Sequence, residues 1–342
     1  MPAKPAKPAK PAKPAHDETM RVMRVREYGP PEVLKSDVDP VPEPGEGEAL
    51  VRLDTIGVNF VETYQRSGRY KRPLPFVPGT EGAGTVVAVG AGVKNVKPGE
   101  RVASVRLRGS YAEYAPAPAE HLVPIPEGMS TEVAGALMLQ GLTAHYLVTS
   151  TYPLEEGQWC LVHAGAGGVG RLLCQLAAMR GARVIATVST EEKARVASEA
   201  GAEAVIRYDQ TDFVREVRTL TDGAGVPVVY DSVGWATFER SLDALAPRGM
   251  LVLFGQSSGA VPSFDPQLLN RKGSLFLTRP SLTDYTATPG ELAWRTGELF
   301  GWVLAGRLRV LIHERYGLDE AAAAHRALQG RGTVGKLLLV PR

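Results

Sequence analysis

The run Trp159-Cys160-Leu161-Val162-His163-Ala164-Gly165-Ala166-Gly167-Gly168-Val169-Gly170 limits what this chain can fold into more than any other segment. Apolar strand formers lead into it and Leu172 to Met179 reads as a helix leaving it. The spacing G-x-G-x-x-G at Gly165, Gly167 and Gly170 thus falls where a strand turns into a helix. Without side chains the backbone can turn tightly there and approach a pyrophosphate, whose charge then rests on the positive end of the helix. A glycine motif alone is weak evidence, and a tight turn with no ligand is its bland alternative. The next strand, Arg183 to Val188, supplies the βαβ context that favours a dinucleotide.

The same rhythm continues on either side. Strands are expected at Trp159 to His163, Arg183 to Val188, Ala204 to Tyr208, Val226 to Asp231 and Met250 to Gly255. Helices near Gly168 to Met179, Glu191 to Ala200, Asp212 to Leu220 and Ala236 to Leu245 separate them. Ser274 to Thr278 would complete a six-stranded, doubly wound parallel sheet. Earlier, short strands punctuated by Gly and Pro are expected at Met20 to Tyr28, Ala49 to Val58, Gly84 to Val89, Glu100 to Val105, Tyr111 to Ala115 and His121 to Ile125. They describe a β-rich, mostly antiparallel domain. Ser130, followed by Glu132, has the chemistry of a helix N-cap. After Pro280 come helices around Gly290 to Ala305 and Leu318 to Leu328, then a strand Lys336 to Val340 that should return to the first domain. The expected class is therefore α/β: a Rossmann domain at 141–279 and a discontinuous β-rich domain from 20–140 and 280–342. Residues 2–15 repeat Pro-Ala-Lys and have no large apolar side chain to bury, so residues 1–19 should form a disordered tail.

With 342 residues the chain has room for two domains with real cores. Its formal net charge is +2, and Lys4, Lys7, Lys10 and Lys13 all sit in the tail, so the body is near neutral. That argues against broad capture of nucleic acid or a membrane surface. The tail is either an electrostatic tether or an extension ahead of Met20 or Met23. Cys160 and Cys174 match neither a disulfide framework nor paired metal-binding cysteines, and fit small buried hydrophobes in a reducing compartment. The uncharged run Val133 to Leu154 contains Gln140, His145 and Pro153, which favours a buried helix over a membrane span. No apolar signal core opens the chain, so a cytoplasmic location is expected.

The end of the second strand of such a domain selects between nicotinamide cofactors, because an acidic residue there holds the ribose 2′-hydroxyl and repels a 2′-phosphate. Here the strand ends Thr187-Val188-Ser189-Thr190, ahead of Glu191-Glu192-Lys193-Ala194-Arg195. Ser189 can donate to a phosphate, and Lys193 or Arg195 can supply charge. The two glutamates count against this unless they point to solvent from the first helical turn. NADPH is favoured over NADH.

Several separated stretches resemble one family. They are Gly57-Val58-Asn59-Phe60-Val61-Glu62-Thr63-Tyr64 with Arg66-Ser67-Gly68, Pro78-Gly79-Thr80-Glu81, Gly141-Leu142-Thr143-Ala144, the glycine loop, Val229 to Gly234, Phe254 to Ala260 and Thr278-Arg279-Pro280-Ser281. The chain resembles the zinc-independent quinone oxidoreductases, relatives of zeta-crystallin in the medium-chain dehydrogenase/reductase superfamily. The resemblance implies a GroES-like fold for the β-rich domain and a nicotinamide held between Phe60 to Tyr64 and the helix carrying Thr143 and His145. It also implies that Gly168 and Val169 meet the pyrophosphate, while Ser189, Lys193 and Tyr208 surround the 2′-phosphate. Ser232, Phe254, Gly255 and Ser257 would line the nicotinamide half, with Arg331 as a late cofactor contact. His145 stands where a close relative places tyrosine. Zinc-dependent relatives carry ligands where this chain has Asn59, Thr80 and Leu139, so only Glu81 remains as a donor and catalytic zinc, which needs three protein ligands, is not expected.

Without a Lewis acid, alcohol dehydrogenation is disfavoured, whereas a quinone is electrophilic on its own and needs mainly to be held against the nicotinamide. Tyr64 is expected to orient the carbonyl or pass a proton, or else to pack on the ring; Asn59 is expected to donate a hydrogen bond, or else to cap a turn. An alkenal or enoyl reductase is the nearest alternative, and an NADPH-binding structural or RNA-binding protein a more distant one. By the same resemblance, Ser274 to Thr278 would pair with its mate in a homodimer.

Overall fold

The computed structural model describes residues 18–341, so most of the expected tail lies outside the described residues. In chain order the elements are β1 (Thr19–Val25), β2 (Leu34–Pro40), β3 (Glu48–Val58), α1 (Phe60–Arg66), β4 (Gly82–Val89), β5 (Arg101–Ser104), β6 (Tyr114–Pro118), β7 (Val123–Pro124) and α2 (Thr131–Tyr146). There follow β8 (Trp159–His163), α3 (Gly168–Met179), β9 (Arg183–Val188), α4 (Glu191–Glu199), β10 (Ala204–Arg207), α5 (Phe213–Leu220), β11 (Val226–Asp231), α6 (Phe238–Ala244) and β12 (Leu245–Leu253). The chain closes with α7 (Gln267–Arg271), β13 (Phe276–Thr278), α8 (Pro289–Leu304), β14 (Ile312–Gly317), α9 (Ala321–Gln329) and β15 (Lys336–Val340).

Two sheets organise the molecule. The first is six-stranded and parallel, in the order β10-β9-β8-β11-β12-β13, with the order reversing beside β8. Ligands of open α/β sheets bind outside the carboxyl ends of the strands at such a reversal, which is where the glycine run emerges. The second has the order β14-β15-β3-β4-β5-β7, with β6 also on β3. Its last strand in sequence, β15, lies antiparallel to β3 through Leu338 and Gly57, so the C-terminal segment closes onto the N-terminal sheet.

Helix α2 joins the two sheets. Ser130 caps it by accepting from the Val133 N–H, and most of its residues are buried among both. It carries the uncharged run, and no helix among the described residues is long and apolar enough to cross a membrane.

Three elements escape the periodicity. Strand β2 is polar on most positions, and β1 is its one strand partner among the described residues; β14 is similarly half-exposed. Helix α1 has seven residues, too few for a helical stripe to register. The strand expected at Tyr111 to Ala115 forms later, at Tyr114–Pro118, where Pro116 and Pro118 are tolerated by a strand paired on one side to β3.

Candidate active site

A cleft of about 850 Å³ runs between the two sheets, within the range of small-molecule sites. Its floor is the turn from β8 to α3. Gly167 caps α3, and Gly168, Val169 and Gly170 open onto the cleft. A Cβ on Gly170 would lie 2.2 Å from the Ala164 carbonyl oxygen, so only glycine lets the loop close this tightly. Gly165 does not line the cleft; it lies against β9, where a Cβ would come 2.6 Å from that of Ala186. Its part is to let helix and strand approach. Ala164 adopts φ 53, a left-handed conformation rare for a residue with a side chain.

Ser189, Lys193, Tyr208 and Arg331 line one end. Thr190 caps α4 by accepting from the Lys193 N–H, which turns the lysine side chain toward the cleft, where its ammonium donates to the Arg331 carbonyl. Arg331 is also left-handed, at φ 59. Glu191 turns outward to Arg207 at 3.2 Å, Glu192 is exposed, and neither lines the cleft; nor does Arg195. This end therefore presents hydroxyls and cations, a chemistry suited to a phosphate.

Ser232, Phe254, Gly255 and Ser257 line the middle. The loops that carry them are fixed from beneath. Asp231, fully buried, accepts from the N–H groups of Val233 and Gly234 and from the hydroxyls of Thr237 and Ser241. His163 bridges Ser241 and Thr187 at 3.0 and 2.8 Å, and Ser241 in turn donates to Asp231, so the ends of β8, β9 and β11 are tied together.

Helix α1 forms the other end with Phe60 and Tyr64, and Thr143 faces them from α2. Tyr64 meets Phe60 at 6.1 Å and Tyr70 edge-on at 5.3 Å between ring centroids. Burial pushes its phenol up to about 12, against the Gln256 backbone and the positive field of Arg69 and Arg279, so it is a hydrogen-bond donor at neutral pH. The helix is clamped by Arg66, 2% exposed, which donates to the Gly29 carbonyl, to Gln329 and to Nδ1 of His325. A guanidinium can only donate, which leaves Nε2–H of His325 to donate to the Tyr111 hydroxyl at 2.9 Å. Desolvation, reinforced by the charge of Arg66, lowers His325 to about 3 and keeps it neutral.

Two expectations need correction. His145 does not reach the cleft. It is fully buried on the far side of α2, bonded to Glu298 at 2.7 Å and packed between Trp294 and Trp302. Asn59 does line the cleft, but its amide is committed inward: Nδ2 donates to Glu81 at 2.8 Å and Oδ1 accepts from Lys336 at 2.7 Å. The second Nδ2 hydrogen is directed at the Gly57 carbonyl, at 3.5 Å, so the amide faces its own loop rather than the cleft. Sequence reasoning also missed Gln140, Arg69, Arg106 and Arg279 on the cleft wall. Arg279 sits in a quoted motif, Gln140 precedes one and Arg69 follows another, which was the available signal; for Arg106 none existed.

The positions where zinc-dependent relatives carry ligands meet around Glu81. Its carboxylate takes the Asn59 amide, the Leu139 N–H at 2.6 Å and the Lys336 ammonium, both ions being almost wholly buried. Beside them Glu62 accepts from the Asn59 N–H, its other oxygen has no partner, and burial raises its carboxyl to about 8. An ion pair and a neutral acid thus occupy this ground, and no cluster of three or more metal-ligating side chains occurs among the described residues.

A dinucleotide-type cleft between a doubly wound parallel sheet and a β-rich domain defines an oxidoreductase scaffold of the medium-chain dehydrogenase class. Residues 45–127 match the model of the alcohol dehydrogenase GroES-like domain and residues 168–284 that of the zinc-binding dehydrogenases. The chain is 48% identical to a quinone oxidoreductase of Pseudomonas aeruginosa over 92% of its own length and 97% of that protein. The solved Escherichia coli quinone oxidoreductase complexed with NADPH is 43% identical and superimposes with a TM-score of 0.91, covering 95% of this chain and 100% of that one. A 2-haloacrylate reductase from a Burkholderia species is 41% identical over 93% of this chain and 97% of that protein. The chain belongs to the quinone oxidoreductase family of the medium-chain dehydrogenase/reductase superfamily.

Proposed function

We propose that the protein is a zinc-independent NADPH:quinone oxidoreductase. One observation carries this: a single cleft joins the glycine loop and the phosphate-type end at Ser189 and Lys193 to an aromatic end around Tyr64, with an ion pair where a metal would be needed for alcohol chemistry. The residues fit the cofactor, since the cleft has the volume, the loop admits no side chain at Gly170, and cations without acids line the phosphate end. Bound NADPH supplies the reducing equivalents. Gly168 and Val169 hold the pyrophosphate at the start of α3; Ser189, Lys193, Tyr208 and Arg331 hold the 2′-phosphate; Ser232, Phe254, Gly255 and Ser257 seat the nicotinamide half. Tyr64 holds the acceptor carbonyl by donating its phenolic proton, with Phe60 and Thr143 completing the pocket. Asn59 stiffens this end through Glu81 and Lys336 rather than touching the acceptor.

The domain division assigns 20–140 and 280–342 to the GroES-like unit and 141–279 to the Rossmann unit. Pairing of β13, whose Phe276 is 57% exposed at the sheet edge, with its mate would make a homodimer. Two buried free cysteines fit a cytoplasmic location.

A second reading, reduction of an activated carbon-carbon double bond, is supported by the likeness to the 2-haloacrylate reductase. NADPH oxidation with benzoquinone, naphthoquinone and an alkenal, with and without chelator, separates the two. Chelator-insensitive turnover of the quinones is expected, and alkenal turnover exceeding quinone turnover would favour the second.

A further inference from the structure

The cleft wall includes Arg69, Arg106, Lys193, Arg240, Arg279 and Arg331 but no aspartate or glutamate. The proposed cofactor accounts for part of this charge. Lys193 and Arg331 stand beside Ser189 at the 2′-phosphate end, and Arg240 is matched by Asp212 at 2.8 Å. Three arginines remain, and all three gather at the acceptor end. Arg69 lies 5.1 Å over the Tyr64 ring and donates to the Gln256 carbonyl. Arg279 donates to the Tyr70 hydroxyl at 3.4 Å, and Arg106 donates to the Thr283 hydroxyl and carbonyl. Each guanidinium is thus held by neutral oxygens, which fix its direction without cancelling its charge. Arg69 and Arg279 both act on the Tyr64 hydroxyl, which locates their field where an acceptor carbonyl would sit. The body as a whole is near neutral, so this concentration is local.

We infer that the acceptor end selects substrates that carry an anionic group, a carboxylate or sulfonate, beside the reducible unsaturated ring. Such a group would meet the three guanidiniums at the mouth while the ring lies against Tyr64 and Tyr70. The arginines would raise the local concentration and affinity of an anionic acceptor well beyond anything they do for a neutral one.

This inference rests on the quinone reductase function, and the experiment keeps the two apart. A naphthoquinone with a propionate side chain and its methyl ester have the same ring chemistry and differ only in charge. With NADPH saturating, the acid should exceed the ester in kcat/KM by about tenfold at low salt, with the ratio falling as ionic strength screens the exposed guanidiniums. In Arg69→Gln, Arg279→Gln and the double variant the acid-to-ester ratio should fall stepwise toward one. Any general loss of activity or of folded protein cancels in that ratio. Turnover of both compounds without preference for the acid, or a preference that survives the double variant and high salt, overturns the inference and leaves the quinone reductase function standing. Turnover of neither overturns both.

Discussion

The two ends of the cleft are made in different ways. The cofactor end is backbone: a glycine loop, the open N–H groups of α3, and a strand end with small hydroxyls, all within one βαβ unit. The acceptor end is side chain: Tyr64 from α1, Thr143 from α2, Arg106 after β5 and Arg279 after β13, brought together only by the packing of two sheets. A backbone site tolerates almost no addition of atoms, whereas a side-chain site degrades one contact at a time.

The most damaging change should therefore be at the loop. In Gly170→Val the new Cβ has to displace the Ala164 carbonyl, which is backbone and itself left-handed, so the floor of the site must open. Calorimetry should show NADPH affinity reduced by more than about 100-fold, with the far-ultraviolet circular dichroism of the folded protein retained. Ordinary NADPH affinity in this variant would mean that the phosphates do not lie on the loop.

Next in size is a stability effect under the acceptor end. Glu62 has its carboxyl raised from 4.5 to about 8 by burial, so the folded state holds a proton there that the unfolded state has lost. Its contribution is full below about pH 4.5 and disappears as pH rises through about 8, at roughly 1.4 kcal/mol per pH unit in between. Glu62→Gln mimics the neutral acid and cannot ionise. Its melting temperature relative to the parent should rise steadily from pH 5 to pH 8, and a constant difference would show that Glu62 is ionised in place. The parent should also lose stability as pH falls below about 6.5, because His325 stays neutral in the fold down to about pH 3 while the unfolded chain binds a proton there.

These two cases show what could be read from the residues. The order of strands and helices in the parallel sheet, the glycine loop and the Ser130 cap all follow from local chemistry and are found in the expected order, although β12 starts at Leu245, five residues before the expected Met250. Helix α1 does not, because its seven residues are held by an Arg66 to His325 contact that joins opposite ends of the chain. The inward commitment of Asn59 was equally invisible, since it depends on Lys336, a residue with no motif around it. A resemblance can point to a residue; it does not say which way its amide hydrogens face.

Lys193→Met should come next. It keeps the stem and removes the charge, so preference for NADPH over NADH should fall by about 10- to 100-fold, mostly through KM for NADPH, as expected for losing a charge-assisted bond to phosphate. An unchanged preference would move the 2′-phosphate elsewhere on the cleft. Tyr64→Phe should be milder, about a tenfold loss in kcat/KM for quinone from one hydrogen bond, with NADPH affinity unchanged. Loss in kcat that follows pH would assign the hydroxyl to proton transfer, and loss in KM alone to orientation.

The smallest effect on the cofactor should come from His145, the residue that the resemblance placed on it and the structure places behind α2. His145→Gln keeps a polar group near Glu298 but gives up the stacking against Trp302 and the edge contact with Trp294. It also gives up the Nδ1 acceptor of the buried Arg295 guanidinium at 3.2 Å, a loss of about 1–3 kcal/mol, so the variant should melt at a lower temperature while NADPH affinity changes by less than about twofold. Cofactor binding and stability would then separate at a single residue, two positions from Thr143 and so on the opposite face of α2. A large loss of NADPH affinity at full thermal stability would put the imidazole back into the cofactor end and require α2 to rotate about its axis when the cofactor binds.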